Sequence, residues 1–398
     1  MTTAAARKVT PSAPGKGLRA RAATRRRPTR GALDRVLDVF RVRQCFDAIT
    51  VARELAEAAS SDGELLRGLG LALLPLPDQF TPRDNQRPFG AFQRLEIPSS
   101  GERVAVVATG GSGAMSALVG VLRACEEAGI RPSSMAVASG AALFGFPAGA
   151  GLSAEQVADF TLSLRPHDYV DVDWAGLAAI VPRLGRGFAG VVKGDRLEAA
   201  YQELLGDLRL GEMPIPTYAP LWNIDQNRVE YVGPGTYPEL TVARAVRLAV
   251  SLPLFMDPQR MGGSYWGDGG VVDIFPVHPV LDLEPKPDVV LGLNCFYPPA
   301  FRGEDASGWR EQKFSILRAA AQVRTSQQTQ LARQNLARLR AEVGEVLLLE
   351  PVPYTEVKGG RFYLQFVDNR SWPGFMRAGR NVTLRALKRR RTQLLRAS

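Results

Sequence analysis

The stretch Arg103-Val104-Ala105-Val106-Val107-Ala108, followed at once by Thr109-Gly110-Gly111-Ser112-Gly113, decides the fold. An unbroken apolar run rich in valine, with no polar alternation, marks a strand covered on both faces, as parallel strands are. A strand that runs into a glycine-rich turn is poised to reverse into a helix, and a helical pattern follows. Leu118, Val121, Leu122 and Cys125 recur on one face, and Gly129 stops it. The pattern then repeats. Ser134-Met135-Ala136-Val137 reads as a second strand and Ala138-Ser139-Gly140 as a tight turn. The small residues after it form a helix that ends near Gly145-Phe146-Pro147. Strand, turn, helix, strand, turn, helix predicts an α/β layered fold on a largely parallel sheet.

Further along, Pro216 to Trp222 and Arg228 to Val232 read as paired strands, with Asp225 at the hairpin turn. Val242 to Ser251 reads as a short helix stopped by Pro253. Val271 to Pro276 is expected to be extended. Asp288 to Asn294 and Glu345 to Leu349 read as buried strands, and Trp309 to Val343 holds one long helix or two. The spacing shows no internal repeat and no linker between Gly101 and Met376, so one domain of catalytic size is expected over 101–376. Before it, 1–33 reads as a basic disordered tail. Residues 34–100 read as a helical extension that prolines 75, 77, 82 and 88 break into a connector. Residues 377–398 read as a basic helix or tail.

The 398 residues are 45% hydrophobic and 23% charged, which is enough apolar material for a large core and excludes a disordered or collagen-like chain. The net charge of +10 is unevenly placed. Nine Lys and Arg and no acid lie in 1–33, and eight and no acid lie in 377–398, so the body between them is net acidic. A nucleic-acid domain would carry its basic stripe on the folded body, so nucleic acid is not the expected partner. Contact of the basic ends with an anionic membrane is the alternative they suit. Leu384, Leu387, Leu394 and Leu395 among the arginines fit a helix lying on a lipid surface. No apolar run reaches 18 residues and no secretory h-region follows the first basic residues, so a cytoplasmic or peripheral-membrane protein is expected. Three scattered cysteines, Cys45, Cys125 and Cys295, form neither a disulfide framework nor a zinc pattern. With only His167 and His278 available, no metal site or cofactor is expected, and the scarcity constrains acid–base chemistry that relies on histidine.

Three short segments carry the residues that chemistry needs. Ser139 lies on a strand-to-helix turn between Ala138 and Gly140, the small-residue setting that a nucleophile elbow requires, although a serine in front of a helix is also an ordinary N-cap. Gly110-Gly111-Ser112-Gly113 offers backbone N–H groups that could hold an oxyanion. It lacks the Lys-Ser/Thr of a phosphate-binding loop and the glycine spacing of a dinucleotide fingerprint. Asp268 lies between Gly267 and Gly269-Gly270, where a carboxylate is held close to backbone, or where a plain Asp-Gly turn would sit. The order Ser139, Asp268, His278 also matches an α/β-hydrolase triad, but Pro276 and Pro279 bracket the histidine.

Together these segments resemble the patatin-like phospholipase family. The glycine loop is followed by Gly120-Val121-Leu122-Arg123-Ala124-Cys125-Glu126-Glu127-Ala128-Gly129, the elbow is Val137-Ala138-Ser139-Gly140-Ala141, and Asp268-Gly269-Gly270 leads into Val271-Val272-Asp273-Ile274-Phe275-Pro276-Val277. Ala245 to Pro253 and Gly194-Asp195-Arg196-Leu197 are similar as well. The resemblance spans about Arg103 to Pro351. It implies a three-layer α/β/α fold and a lipid acyl hydrolase, a phospholipase or lysophospholipase, acting on an acyl-ester substrate. It further implies a dyad of Ser139 and Asp268 without histidine, and an oxyanion hole from Gly110, Gly111, Ser112 and Gly113. The sequence departs from the family pattern at Val137 and Ala141, where the elbow usually has glycine, and at Ser112, Ala114 and Met115 in the loop. Those departures are what an alternative would rest on, a catalytically weak relative that binds lipid or protein.

Overall fold

The computed structural model describes residues 101–180, 187, 189–303, 307–311, 315–366 and 368–397. The expected tail 1–33, the extension 34–100 with Cys45, and the side chain of His167 lie outside these.

The opening stretch forms β1 (Val104–Ala108), and the helix after its glycine turn is α1 (Ala117–Glu127). β2 (Pro132–Val137) and α2 (Ala142–Gly149) repeat the unit, and α3 (Ala154–Ser163) follows. The second helix does not stop at Phe146-Pro147. Pro147 lies inside it, and the helix runs two residues further. Then come β3 (Gly190–Val192), α4 (Asp195–Leu205), β4 (Thr217–Asn223), β5 (Arg228–Val232) and α5 (Val242–Ala249). The chain continues through β6 (Leu254–Met256), β7 (Gln259–Met261), β8 (Ser264–Asp268) and β9 (Val289–Leu293). It ends with α6 (Ser315–Glu342), β10 (Glu345–Leu349) and α7 (Trp372–Ala397).

The main sheet has the order β10-β9-β1-β2-β4-β8-β7, with β5 beside β4. From β10 to β4 neighbouring strands are parallel, while β5, β8 and β7 are joined antiparallel. β3 and β6 make a small parallel sheet of their own. Every residue of β1 is buried because both faces of the sheet are covered. Val104, Val106 and Ala108 join Leu118, Val121, Trp372 and Phe375 in one core. Ala105 and Val107 join Phe275, Ala332, Leu336 and Leu339 in the other. The first core is closed by α1 and α7 and the second by α6, giving helix, sheet and helix layers. Each such fully buried valine or leucine contributes roughly 1.5–3 kcal/mol of transfer free energy.

The C-terminal helix begins before the expected boundary at 376 and packs along α1. Its Gly379 is pressed so close that a Cβ there would lie 2.1 Å from the Ala117 carbonyl oxygen. Arg380 pairs with Glu127 at 2.6 Å, and Arg390 bonds to both Glu102 and Glu345. Leu384 and Leu387 are half-buried, so only Leu394 and Leu395 of the expected lipid-facing set are exposed. Residues 271–276 also differ from the extended run expected. A short turn at Gly269–Val271 leads into irregular chain there. Among the described residues no helix is long and apolar enough to cross a membrane.

Candidate active site

Ser139 follows β2 by one extended residue and turns abruptly, with φ at +49°. That left-handed conformation costs a residue with a Cβ roughly 1–2 kcal/mol, and it persists only where the surroundings enforce it. A single turn at Ser139–Ala141 then feeds α2. The sharp reversal lifts the hydroxyl off the end of the strand, and Gly140 is needed because a Cβ would sit 2.1 Å from the Gly111 carbonyl oxygen. Val137, which departs from the family pattern, fits the turn because Gly145 faces it: a Cβ on Gly145 would lie 2.6 Å from a Val137 methyl group.

β4 brings the second residue. Its first residues pair with β2 (Met135 with Thr217), and its later ones pair with β8 (Leu221 with Asp268). The ends of β2 and β8 therefore meet, and Ser139 Oγ donates a hydrogen bond of 2.5 Å to Asp268 Oδ2 across 129 positions of sequence. The other carboxylate oxygen accepts from the Gly270 N–H at 2.7 Å, and the Asp268 N–H donates to the Ser251 carbonyl at 2.9 Å. Asp268 is 1% exposed and Ser139 is 7% exposed. Burial pushes the Asp268 carboxyl up to about 7, against the lowering pull of the bonds from Ser139 and Gly270. A carboxyl poised there accepts and returns a proton near neutral pH.

Gly110 to Gly113 lie against this pair but do not act alike. The Gly110 amide donates to the Ile274 carbonyl at 3.1 Å, so it is an anchor and not one of the free donors the sequence suggested. Among the described residues the Gly111, Ser112 and Gly113 amides reach no protein acceptor. The Ser112 hydroxyl bonds to Gln365 Oε1, as does the Ala114 amide.

Behind the site, Arg247 is wholly buried on α5. Its guanidinium donates to Ser251 Oγ at 2.6 Å and to the Asp257 carbonyl at 2.8 Å, bracing the residue that holds the Asp268 backbone. Burial lowers it to about 10, with the neighbouring Arg244 charge adding to the effect. Neither Arg247 nor Gln365 stood out in the sequence. An arginine on a helix and a glutamine in a C-terminal segment carry no local pattern. The run Ala245 to Pro253 was the one available pointer to Arg247.

The remaining candidates lie elsewhere. His278 Nδ1 accepts from Arg338 at 2.8 Å and its ring lies beside Tyr231; among the described residues it has no bond to Ser139 or Asp268, so the triad order is not realised. Asp225 is a turn residue that accepts from the Tyr265 N–H. Asp273 is a second buried carboxyl, bonded to Tyr231 at 2.5 Å and Asn335 at 3.0 Å. Cys125 and Cys295 are buried, and burial pushes the Cys125 thiol up to about 12, which makes it inert.

The family model described as patatin-like phospholipase matches residues 106–281, which include both Ser139 and Asp268. Uncharacterized NTE family proteins of Mycobacterium bovis and Mycobacterium tuberculosis are 22% identical over 196 residues, 49% of this chain and 50% of theirs. The chain thus spans about half the length of the curated relatives it matches. Among solved structures, VipD from Legionella pneumophila is similar at 13% identity and a TM-score of 0.43, covering 72% of this chain and 67% of that one. Human GIVD cytosolic phospholipase A2 is similar at 11% identity and a TM-score of 0.40, covering 88% and 63%. Over residues 106–281 the chain is thus similar to the patatin-like phospholipases.

Proposed function

We propose that the protein is a serine acyl-ester hydrolase acting on lipid esters, phospholipid or lysophospholipid in particular, through a dyad of Ser139 and Asp268. The observation that carries the reading is the 2.5 Å bond from the Ser139 hydroxyl to a buried carboxylate whose other oxygen is fixed by Gly270. A serine hydroxyl is a weak nucleophile until a positioned base takes its proton. Here Ser139 Oγ attacks the ester carbonyl while its proton passes to Asp268. The Gly111 and Ser112 amides receive the charge that develops on the carbonyl oxygen. Asp268 then gives the proton to the departing alcohol, leaving an acyl group on Ser139. Water enters, Asp268 takes a proton from it, and the acid is released as Ser139 recovers its hydrogen. The similarity of residues 106–281 to patatin-like phospholipases and the small apolar residues around the elbow support an acyl substrate. The exposed end of α7, with Arg391, Leu394, Leu395 and Arg396, suits contact with the anionic surface on which such substrates lie.

The reading is tested by turnover of a p-nitrophenyl ester and by fatty-acid release from vesicles with and without anionic lipid. Wild type and His278→Ala are expected to turn over alike, and Ser139→Ala is expected to lose roughly 10³-fold or more. Folded wild type that releases no acid from any ester, with or without vesicles, would overturn it and leave a binding role.

A further inference from the structure

A polar side chain from outside the matched segment is hydrogen-bonded to the glycine loop. Gln365 follows the short helix Gly360–Leu364, and its Oε1 lies 2.7 Å from Ser112 Oγ and 2.9 Å from the Ala114 nitrogen. Gln365 is 8% exposed, and both contacts are buried. A backbone N–H can only donate, so the amide oxygen must face Ala114, and the Ser112 hydroxyl completes its acceptor capacity. One oxygen atom therefore ties the chain down on both sides of Gly113. Gly113 is clamped as well: a Cβ there would lie 2.0 Å from Trp372 Nε1, which itself donates to the Gln365 carbonyl at 3.3 Å.

The consequence concerns the loop amides without a protein acceptor, those of Gly111 and Ser112 above all. Gly111 and Ser112 lie between two fixed points, the Gly110 amide on the Ile274 carbonyl and the Ala114 amide on Gln365. Oxyanion donors contribute to the rate only if they are already aimed when charge develops, since reorienting a loose loop consumes the gain. The Ile274 anchor comes from the same segment as Asp268. The other anchor comes from 251 positions away in sequence.

We propose that Gln365 is a positioning residue for the oxyanion loop, holding the Gly111 and Ser112 amides in their aim through Ser112 and Ala114. Its catalytic consequence rests on the hydrolase reading above; the pinning of the loop does not.

The test uses the full chain with Gln365→Leu, which keeps bulk and removes the acceptor, and Ser112→Ala, which removes one of the two bonds. Three quantities are read: amide hydrogen exchange of the loop peptide 109–117, the rate and endpoint of labelling by a fluorescent phosphonate, and kcat and KM on a p-nitrophenyl ester. In Gln365→Leu, exchange in the loop is expected to rise about tenfold or more. The labelling rate and kcat are expected to fall about 10–100-fold, with KM within about twofold and labelling still complete at its endpoint. Ser112→Ala is expected to show a smaller fall of about three- to tenfold, and the double variant no more than Gln365→Leu alone. Folded Gln365→Leu with wild-type exchange and wild-type labelling rate would overturn the proposal. So would a lowered endpoint at unchanged rate, which reports lost protein and not a misplaced loop. If Gln365→Leu does not fold, Gln365→Asn, too short to reach both donors, and Ser112→Ala carry the same comparison. If wild type is not labelled at all, the hydrolase reading fails, while the exchange measurement still decides whether Gln365 pins the loop.

Discussion

The elbow between β2 and α2 and the C-terminal segment around Gln365 and α7 converge on one glycine loop, yet they are built in opposite ways. The elbow is local. Ser139 takes its φ of +49° among small neighbours, Ala138, Gly140 and Ala141, and the turn is shaped by few contacts, Gly145 on Val137 and the Gly111 carbonyl on Gly140. The C-terminal segment works at a distance. Gln365, Trp372 and Gly379 have ordinary local settings and matter only for what they touch across the fold. The difference teaches that a sharp strand-to-helix turn can be specified by a short motif, whereas the hydrogen bonds that fix the loop beside it are assembled by tertiary packing.

The largest effect is expected where the elbow serine loses the carboxylate beside it. Asp268→Asn should lower turnover by roughly 10³-fold or more, since the amide cannot accept the serine proton. It should also change the pH dependence of stability in a defined direction. The folded carboxyl keeps its proton up to about pH 7, while in the unfolded chain it loses it near pH 4. Between those values the folded state binds more protons, so the Asp268 contribution makes the protein less stable as pH rises through the window, and it levels off above about 7. The asparagine variant should lack that slope and be the more stable protein at pH 8, by a difference on the order of a few kcal/mol in urea unfolding. In wild type, kcat/KM should rise with pH through about 7 as the carboxylate forms.

A smaller effect is expected from the distant half. Gly379→Val sets a side chain against the Ala117 carbonyl, which as backbone cannot move aside. The helix α7 must shift, and thermal unfolding should show a loss of about 1–3 kcal/mol. Turnover should fall with it, because Trp372 lies on the same helix beneath Gly113. Full activity in a destabilised Gly379→Val would mean that α7 supports the fold without supporting the loop. The smallest effect belongs to Arg390→Ala. Its guanidinium is largely buried between Glu102 and Glu345, so the loss should be about 1 kcal/mol in stability, with turnover within about twofold of wild type.

How much of this was legible in the sequence follows from the same contrast. The apolar run at 104–108, the glycine turn and the small residues about Ser139 are local signals, and they predicted the βαβ core and the sharp turn at Ser139. Asp268 was legible because glycines flank it, and the structure brings it to Ser139 through strand pairing with β4 that no spacing rule could supply. The donors of the loop were only partly legible. Whether an amide is free depends on what lies opposite, and for Gly110 that is the carbonyl of Ile274. The C-terminal helix was read from its charge as an appendage, since arginines dominate its composition. Its packing face, set by Gly379 and Thr383 with Trp372 and Phe375, is too sparse to stand out against them.

The most direct measurement is to treat the folded protein with a phosphonate ester over a range of pH and locate the adduct by mass spectrometry. The account predicts a single adduct on Ser139, forming faster as pH rises through about 7, undiminished in His278→Ala and lost in Asp268→Asn. An adduct on another residue, or labelling of Ser139 that survives Asp268→Asn but needs His278, would contradict it.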